Sequence, residues 1–249
     1  MQNINAGGAT KKIVIIGGGF AGINLAKKLA GNMNYQVILA DRNNYNFFPP
    51  LIYQVATGFL EPSSISYPFR KLFRKKQNIH FYLGEFIRVD TALHTCYFNN
   101  GLLTYDYLVF AAGATSNYFG NANIKRNAVV MKTLNDALNM RNILLETLEL
   151  ACRTVDPKEK TSLLTIVVAG GGPTGVEVAG MLAELRKYII AKDYPELKRA
   201  KNDIYLVDGG PELLLQMSSR SRKESYEALV NIGVKIKLKT MVADYAGGV

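Results

Sequence analysis

Two stretches of sequence decide the fold: KKIVIIGGGFAG at residues 11–22 and TIVVAGGGPTGVEVAG at residues 165–180. Each is a short apolar run followed by the pattern GxGxxG and then by an alanine-rich sequence with helical periodicity. A buried strand, a tight glycine turn and a helix N-terminus are the parts that cradle a pyrophosphate in dinucleotide-binding folds. The repeat therefore predicts an α/β protein with two Rossmann-like, doubly wound domains.

The first motif combines three glycines with a later carboxylate. Gly17 allows the tight turn, Gly19 lets the backbone approach a pyrophosphate, and Gly22 lets helix and strand pack closely. Free amides at the helix N-terminus favour phosphate there. Asp41 ends the next apolar run, 19 residues after Gly22, where an acid binds ribose hydroxyls. A strand, a turn, a helix, a second strand and an acid in this order indicate a dinucleotide site much more specifically than the glycines alone.

The second motif repeats the first at Gly170, Gly172 and Gly175. Asp208 closes the following strand, 33 residues after Gly175, because the intervening helix and loop are extended. A carboxylate at this position accepts from a 2′-hydroxyl and repels a 2′-phosphate, which favours NADH over NADPH. Arg220 and Arg222 are near enough in sequence to leave NADPH open.

The remaining patterns predict the elements around the two motifs. The domains are expected at residues 11–120, for the first dinucleotide, and 161–249, for an incomplete second domain, with a connecting segment at 121–160 and a loose leader at 1–10. A β-meander with a turn at NNG (99–101) completes the first domain. A short basic helix is expected at SYPFRKLFRKK, with Ser63 or Ser64 as its N-cap. The other predicted elements are strands 12–17, 35–41, 164–169, 203–208 and 234–245, and helices 21–29, 133–153 (capped by Thr133 or Asn135), 174–191 and 218–231.

Composition narrows the classes of partner. Thirty Lys and Arg against 20 Asp and Glu leave a net charge of +10, which suits either a phosphate binder with a solvated basic exterior or an anionic membrane surface. Interleaved basic and aromatic residues are not evident, so nucleic acid ranks low. The two cysteines, Cys96 and Cys152, and the two histidines, His80 and His94, are far apart and predict no metal site. No apolar run is long enough to span a membrane.

Two dinucleotide folds in one chain suggest FAD and NAD(P) as a hydride acceptor and donor. The segments IVIIGGGFAG, DRNNYNFFPPLIYQVATG, YDYLVFAAGA and GGGPTGVEVAGMLAEL together resemble the type II NADH:quinone oxidoreductases, which are FAD-dependent, non-proton-pumping respiratory enzymes of the pyridine nucleotide-disulfide oxidoreductase superfamily. The resemblance covers nearly all of residues 11–249. The aromatic segment with Tyr53 and Gln54 makes it far more specific than the glycine motifs.

The resemblance implies a role for each matching residue. Glu177 would orient the nicotinamide or help to protonate a quinone, although an acid near a helix N-terminus also has a purely structural explanation. Tyr53 and Gln54 would run beside the isoalloxazine ring, and the backbone at Glu85 and Phe86 would meet the adenine. The residues expected to bind FAD are Gly17, Gly19, Phe20, Ala21, Gly22, Asp41, Arg42, Pro49, Leu51, Phe86, Ala112 and Gly113. Those expected to bind NADH are Gly170, Gly172, Pro173, Thr174, Gly175, Glu177 and Asp208.

The resemblance also implies a setting for the reaction. The second FAD segment, the quinone motif and the C-terminal membrane helices of the family would lie beyond residue 249, so the chain is expected to be an N-terminal portion. The whole enzyme would pass a hydride from NADH to flavin and two electrons to a quinone, peripherally, on the cytoplasmic side of the inner membrane. Whether two copies form a homodimer is left open. The alternatives are a ferredoxin or sulfide:quinone reductase, and a nucleotide-binding fragment that does not turn over.

Overall fold

The structure is a computed structural model, and it describes residues 10–198 and 200–246. The chain divides into two compact units: the first holds the residues up to Phe48 and Ile65–Thr115, and the second holds Pro49–Ser64 and the residues from Ser116 on. The segment 49–64 and the predicted connector 121–160 therefore both belong to the second unit. All of the predicted leader except Thr10 lies outside the described residues.

Both units contain strands and helices. The strands are β1 Lys11–Ile16, β2 Tyr35–Asp41, β3 Tyr45–Phe47, β4 Ser66–Pro68, β5 Ile79–Leu83, β6 Phe86–Asp90, β7 Thr95–Phe98, β8 Gly101–Thr104, β9 Tyr107–Phe110, β10 Ile166–Ala169, β11 Ile204–Val207 and β12 Val234–Lys237. The α-helices are α1 Phe20–Leu29, α2 Ile52–Ala56, α3 Pro62–Ile65, α4 Phe69–Leu72, α5 Ala122–Asn127, α6 Leu134–Arg153, α7 Pro157–Leu164, α8 Pro173–Leu185, α9 Ala191–Asp193 and α10 Ser219–Asn231.

The first unit is built on a parallel sheet in the order β5-β2-β1-β9. β1 and β2 are continuous apolar runs because both faces of the sheet are covered. On one face, α1 and α4 pack on the sheet in a cluster that includes Ile15, Leu39 and Phe69. On the other face, Val14 and Ile38 pack with the antiparallel sheet β6-β7-β8, which is the predicted meander. The first unit therefore has a helix layer, a parallel sheet and a meander.

The second unit contains the same strand–helix–strand arrangement, from β10 through α8 to β11. Its parallel sheet has the order β10-β11-β12, and α8 packs on it through Ala179 and Leu182, beside Leu206 of β11. The long helix α6 starts at a capping box, in which Thr133 accepts from the amide of Asp136 while the carboxylate of Asp136 accepts from the amide of Thr133. The α/β class with two dinucleotide-type sheets is confirmed, and of the two predicted caps the structure uses Thr133.

Three elements differ from the sequence prediction. α8 ends at Leu185 and continues as a π-helical turn at Arg186–Ile190 rather than as regular helix to 191. The expected basic helix is reduced to α4, because β4 occupies the residues before it. The last strand stops at Lys237 instead of residue 245, since Lys239 has a positive φ of 52° and the amide of Thr240 turns back to donate to the carbonyl of Asp208. Among the described residues, no helix is both long and apolar enough to cross a lipid bilayer.

Candidate functional site

The first glycine motif forms a tight turn from β1 into α1. Gly17 has φ +105°, a conformation that costs glycine little, and its amide donates to the carbonyl of Ala40 at 2.8 Å. A Cβ on Gly22 would overlap the carbonyl oxygen of Gly17, so only glycine allows the helix to start this close to the strand. The turn therefore needs glycine at both positions, as the spacing predicted.

The N-terminus of α1 is open toward an anion. Gly19 is the N-cap and offers no side chain, so no side chain accepts a hydrogen bond at this end, and no acidic residue lies in the first turn. A Cβ built on Gly19 would meet nothing within 4 Å, which leaves room for a phosphate to approach the backbone. Phe20 and Ala21, also predicted to bind the cofactor, are the first two helical residues and are exposed. These features fit a pyrophosphate.

Asp41 braces this turn from the end of β2. One carboxylate oxygen accepts from the amide of Gly18 at 2.6 Å, and the other accepts from the amide of Asn43 at 2.7 Å. Asn46 supports the turn as well, donating from Nδ2 to the carbonyl of Gly18 at 3.1 Å. The sequence pattern predicted Asp41 only as a ribose ligand and did not predict Asn46. Each carboxylate oxygen has a further lone pair, so a ribose hydroxyl can still be bound.

The second glycine motif repeats this geometry in the second unit. Gly170 has φ +113° and donates to the carbonyl of Val207 at 2.8 Å. Asp208 accepts from the amide of Gly171 at 2.6 Å and from the amide of Gly210 at 2.6 Å. A Cβ on Gly175 would overlap the carbonyl oxygen of Gly170, as at the first turn. The N-cap Gly172 is open, and Pro173 and Thr174 begin α8.

Several other predicted FAD ligands lie in the same unit as the first turn. The space beside the α-carbon of Gly17 is closed by the backbone of Ala111 and Ala112, at the end of β9. Gly113 follows with a positive φ of 73°. At the end of β5, the amide of Gly84 donates to the carbonyl of Asp41 at 2.9 Å, which brings the chain at Glu85 and Phe86 to the same edge of the sheet. Arg42 is exposed beyond β2.

The segment 49–64 belongs to the second unit, whereas the predicted first domain, residues 11–120, included it. Pro49–Leu51 form a 3₁₀ turn that leads into α2. α2 packs on α6 and α8, and Tyr53 is partly buried against the hydrophobic cluster of the second unit. Gln54 donates from Nε2 to the hydroxyl of Tyr53 at 3.4 Å. The structure therefore groups these two predicted catalytic residues with the helix that carries Glu177.

Glu177 is the fifth residue of α8, one turn beyond the helix start. It is half-buried, and burial raises the pKa of its carboxyl group above the usual value of 4.5. The helix dipole would favour the ionised form at this position, and bound phosphates nearby would disfavour it. The structure adds a different cause, because desolvation disfavours the charge. A carboxyl group with a raised pKa can hold a proton nearer to neutral pH, which suits a proton-transfer role.

The cysteines and histidines are not part of either glycine turn. Cys96 is fully buried in the core between sheet and meander, and Cys152 is partly buried near the end of α6. His94 occupies the turn before β7 with its ring near Tyr105, and His80 is exposed on β5. No group of three or more potential metal ligands lies together in the part of the chain that the structure describes.

Comparisons with known proteins match this architecture. The family model described as pyridine nucleotide-disulphide oxidoreductase matches residues 11–248. The Type II NADH:quinone oxidoreductase Ndh of Mycobacterium tuberculosis is 37% identical over 94% of this chain and 51% of its own length. The structure of NDH2 from Plasmodium falciparum in complex with NADH superposes with a TM-score of 0.88 and 27% identity, over 95% of this chain and 49% of that one.

A sulfide:quinone oxidoreductase structure, from Aquifex aeolicus, also superposes, with a TM-score of 0.75 and 25% identity over 95% of this chain and 52% of that one. The chain thus spans about half the length of the relatives it matches. The resemblance drawn from the sequence motifs is confirmed.

Proposed function

The chain belongs to the pyridine nucleotide-disulphide oxidoreductase family, and on that premise we propose that it is the N-terminal portion of an NADH:quinone oxidoreductase that uses FAD. The observation that carries the proposal is the duplicated turn. Two glycine turns, each with an open helix N-terminus and a carboxylate bonded to the turn, provide two dinucleotide sites in one polypeptide. Two such sites suit a reaction between two dinucleotides.

We assign FAD to the first unit and NADH to the second. In the first unit, the turn at Gly17–Gly22 would hold the pyrophosphate and Asp41 the adenosine ribose, with Phe86 and Gly113 at the same edge of the sheet. In the second unit, Gly170–Gly175 and Asp208 would hold NADH in the corresponding way. When bound, FAD supplies a hydride acceptor that can release electrons singly or in pairs.

NADH is favoured over NADPH by the charges around Asp208. A 2′-phosphate at this position would meet a carboxylate that already accepts two backbone hydrogen bonds. The two arginines that left NADPH open are paired with carboxylates: Arg222 with Glu212 at 3.2 Å and Arg220 with Glu224 at 2.6 Å. Both guanidinium groups therefore already have a carboxylate partner, which disfavours their use as counter-ions for a 2′-phosphate.

The chain's own residues would contribute position and a proton site. The open helix N-termini bind phosphate, which fixes where the reacting rings lie. Burial raises the pKa of Glu177, so its carboxyl group keeps a proton to a higher pH than an exposed glutamate does. Tyr53 and Gln54 present a hydroxyl and an amide from α2, which packs against the helix of Glu177. We assign these three residues to proton transfer and to orientation of nicotinamide or quinone.

The relatives are named for reactions with quinones, and quinones are the electron acceptors we propose for the whole protein. Peripheral attachment on the cytoplasmic side of the inner membrane, a place in a respiratory chain and pairing of two copies are further proposals, supported by the resemblance alone. A sulfide:quinone reductase is the second candidate because its structure superposes on this chain. Buried Cys96 disfavours it, since cysteine chemistry beside a flavin requires an accessible sulfur.

A pair of matched variants tests the assignment of the two sites. Asp41→Asn and Asp208→Asn alter the same hydrogen bond, from a turn amide at 2.6 Å, in the two units. We expect Asp41→Asn to lose flavin absorbance while retaining NADH binding, and Asp208→Asn to show the reverse. In the unaltered protein, the flavin absorbance should decrease when NADH is added and return when a soluble quinone is added. A colourless protein that only binds NADH would reject the enzyme in favour of a nucleotide-binding module.

A further inference from the structure

Positive charge is concentrated in the first third of the chain. Residues 10–84 contain ten Lys and Arg but only two acids, Asp41 and Glu61, which is a net charge of +8 out of the +10 of the whole sequence. The remaining residues are nearly neutral. A charge difference of this size within one chain indicates a surface with a particular partner rather than a uniformly basic exterior.

The structure gathers seven of these cations on one side of the first unit. Five lie on Arg70–Lys76, which starts within α4, and two, Lys27 and Lys28, lie in the last turn of α1. α1 and α4 pack on the same face of the parallel sheet, in one hydrophobic cluster. Buried Asn78, two residues after Lys76, ties them together: its Nδ2 donates to the carbonyl of Leu29 at 2.9 Å and its Oδ1 accepts from the amide of Gly31 at 2.9 Å. We call these seven residues and their surroundings the basic face.

The charges of the basic face are not neutralised by the protein. All seven side chains are exposed, and in residues 10–198 and 200–246 none of them forms a salt bridge. Arg70 and Lys71 lie over aromatic rings, at 5.6 Å from the ring centre of Phe81 and 5.1 Å from that of Tyr67. These contacts orient the two cations but leave their charge free to act on a partner.

The proposed nucleotide sites do not account for this charge. Phosphate would bind at the N-terminus of α1, whereas Lys27 and Lys28 lie at its C-terminus, about 15 Å away for a helix of ten residues. The helix dipole favours lysines at a C-terminus, which explains those two. It does not explain Arg74, Lys75 and Lys76, which follow α4.

Exposed apolar groups lie among the cations. The side chain of Met33, in the turn held by Asn78, is 60% exposed, and that of Tyr67, beneath Lys71, is 43% exposed. An apolar group and an aromatic ring among long basic side chains fit the boundary between lipid headgroups and acyl chains. Nucleic acid would instead favour several unengaged aromatic rings to stack on bases, and the ring of Phe81 is packed against Phe69.

From these observations we propose that the basic face docks on an anionic lipid bilayer, with Lys27, Lys28 and Arg70–Lys76 against the headgroups and Met33 and Tyr67 at the interface. The inference rests on the proposed function in one respect, since a lipid-soluble quinone requires the enzyme to work at a membrane. The contact is confined to the first unit and supplies an attachment that needs no membrane-spanning helix.

Vesicle binding by the 249-residue chain tests this proposal. Cosedimentation is measured with phosphatidylcholine vesicles and with vesicles containing about one-third phosphatidylglycerol. We expect binding only to the anionic vesicles. The triple substitution Lys71→Gln, Lys75→Gln and Lys76→Gln should weaken it on the order of a hundredfold, because each basic residue near an anionic surface contributes roughly fivefold. A matched control in the second unit removes the same charge from the exposed lysines Lys125, Lys158 and Lys192.

The outcomes separate the alternatives. The proposal is overturned if the two triple variants bind anionic vesicles equally, or if the unaltered chain binds neutral and anionic vesicles equally. It is also overturned if the substitutions at Lys71, Lys75 and Lys76 weaken binding to a single-stranded RNA more than binding to vesicles. NADH oxidation with a water-soluble quinone is measured in parallel and should be the same in both triple variants. If the protein does not oxidise NADH but its vesicle binding still depends on Lys71, Lys75 and Lys76, the proposed function is refuted. The proposal for the basic face is then still supported.

Discussion

Two glycines of the same helix should respond in opposite directions to the same substitution. Gly175 and Gly180 both lie on α8. A Cβ on Gly175 would overlap the carbonyl oxygen of Gly170, whereas a Cβ on Gly180 would make an ordinary contact of 3.7 Å with Leu229. Gly175→Ala must therefore move the helix away from the turn, while Gly180→Ala only adds a methyl group in van der Waals contact.

The sizes of the two effects follow from these contacts. Alanine is favoured over glycine in a helix interior by about 1 kcal/mol, so Gly180→Ala should stabilise the second unit by about that amount. Overpacking costs up to about 3 kcal/mol, and the overlap with a backbone oxygen puts Gly175→Ala at this upper end. After the gain of about 1 kcal/mol in helix propensity is subtracted, the variant should be destabilised by about 2 kcal/mol. The variants should differ by about 3 kcal/mol, which is roughly 10 °C in the midpoint of thermal unfolding.

Thermal unfolding followed by circular dichroism and titration with NADH measure the two consequences. Gly175→Ala should lower the midpoint and weaken NADH binding at least tenfold, because the turn that approaches the pyrophosphate is distorted. Gly180→Ala should raise the midpoint and leave NADH binding as it is. If both variants had the same midpoint and the same affinity, the close approach of α8 to Gly170 would not be required for the site, and the reasoning would be refuted.

Three further predictions use other contacts. Asp208→Arg should shift the ratio of NADH to NADPH affinity toward NADPH by at least tenfold, as measured by nucleotide titration, and an unchanged ratio would remove the basis for naming NADH. For Glu177, burial raises the folded-state pKa, so the protein is most stable with the carboxyl group protonated and loses stability as pH rises through that pKa. Glu177→Gln should therefore raise the urea midpoint at pH 7 and have no effect well below the usual value of 4.5; a benefit confined to low pH would contradict this sign. Asn78→Ala removes an amide that bonds α1 and β2, at 2.9 Å to Leu29 and 3.2 Å to Tyr35, and should cost about 2–3 kcal/mol in urea unfolding, whereas exposed Gln77→Ala should cost almost nothing.

Local features of the site were predictable from the sequence. The glycine spacing predicted both turns, and Asp41 and Asp208 were placed correctly at the ends of β2 and β11, although their hydrogen bonds to the turn amides were not predicted. Such features depend on neighbours within one strand–turn–helix unit, where sterics leave few alternatives. Thr133 was one of two predicted caps for the same reason, because the residue that it caps is three positions away.

Other features depend on residues distant in the chain. The sequence grouped residues 49–64 with the first domain because they follow it, but α2 packs on α6 and α8, more than 75 residues later. The raised pKa of Glu177 likewise comes from burial by surrounding elements rather than from its place on the helix. The bonds from Asn46 and Asn78 join segments that have no sequence pattern in common.

The sequence by itself thus determined the class of fold, the two glycine turns and the acid at the end of the strand that follows each of them, since backbone geometry and short-range hydrogen bonds depend on residues close along the chain. Only the tertiary structure decided which unit holds the Tyr53–Gln54 segment, in which direction the pKa of Glu177 shifts and which cations share the basic face. Those properties arise from packing, desolvation and the sum of charges on a surface, and each of these depends on residues that only folding brings together.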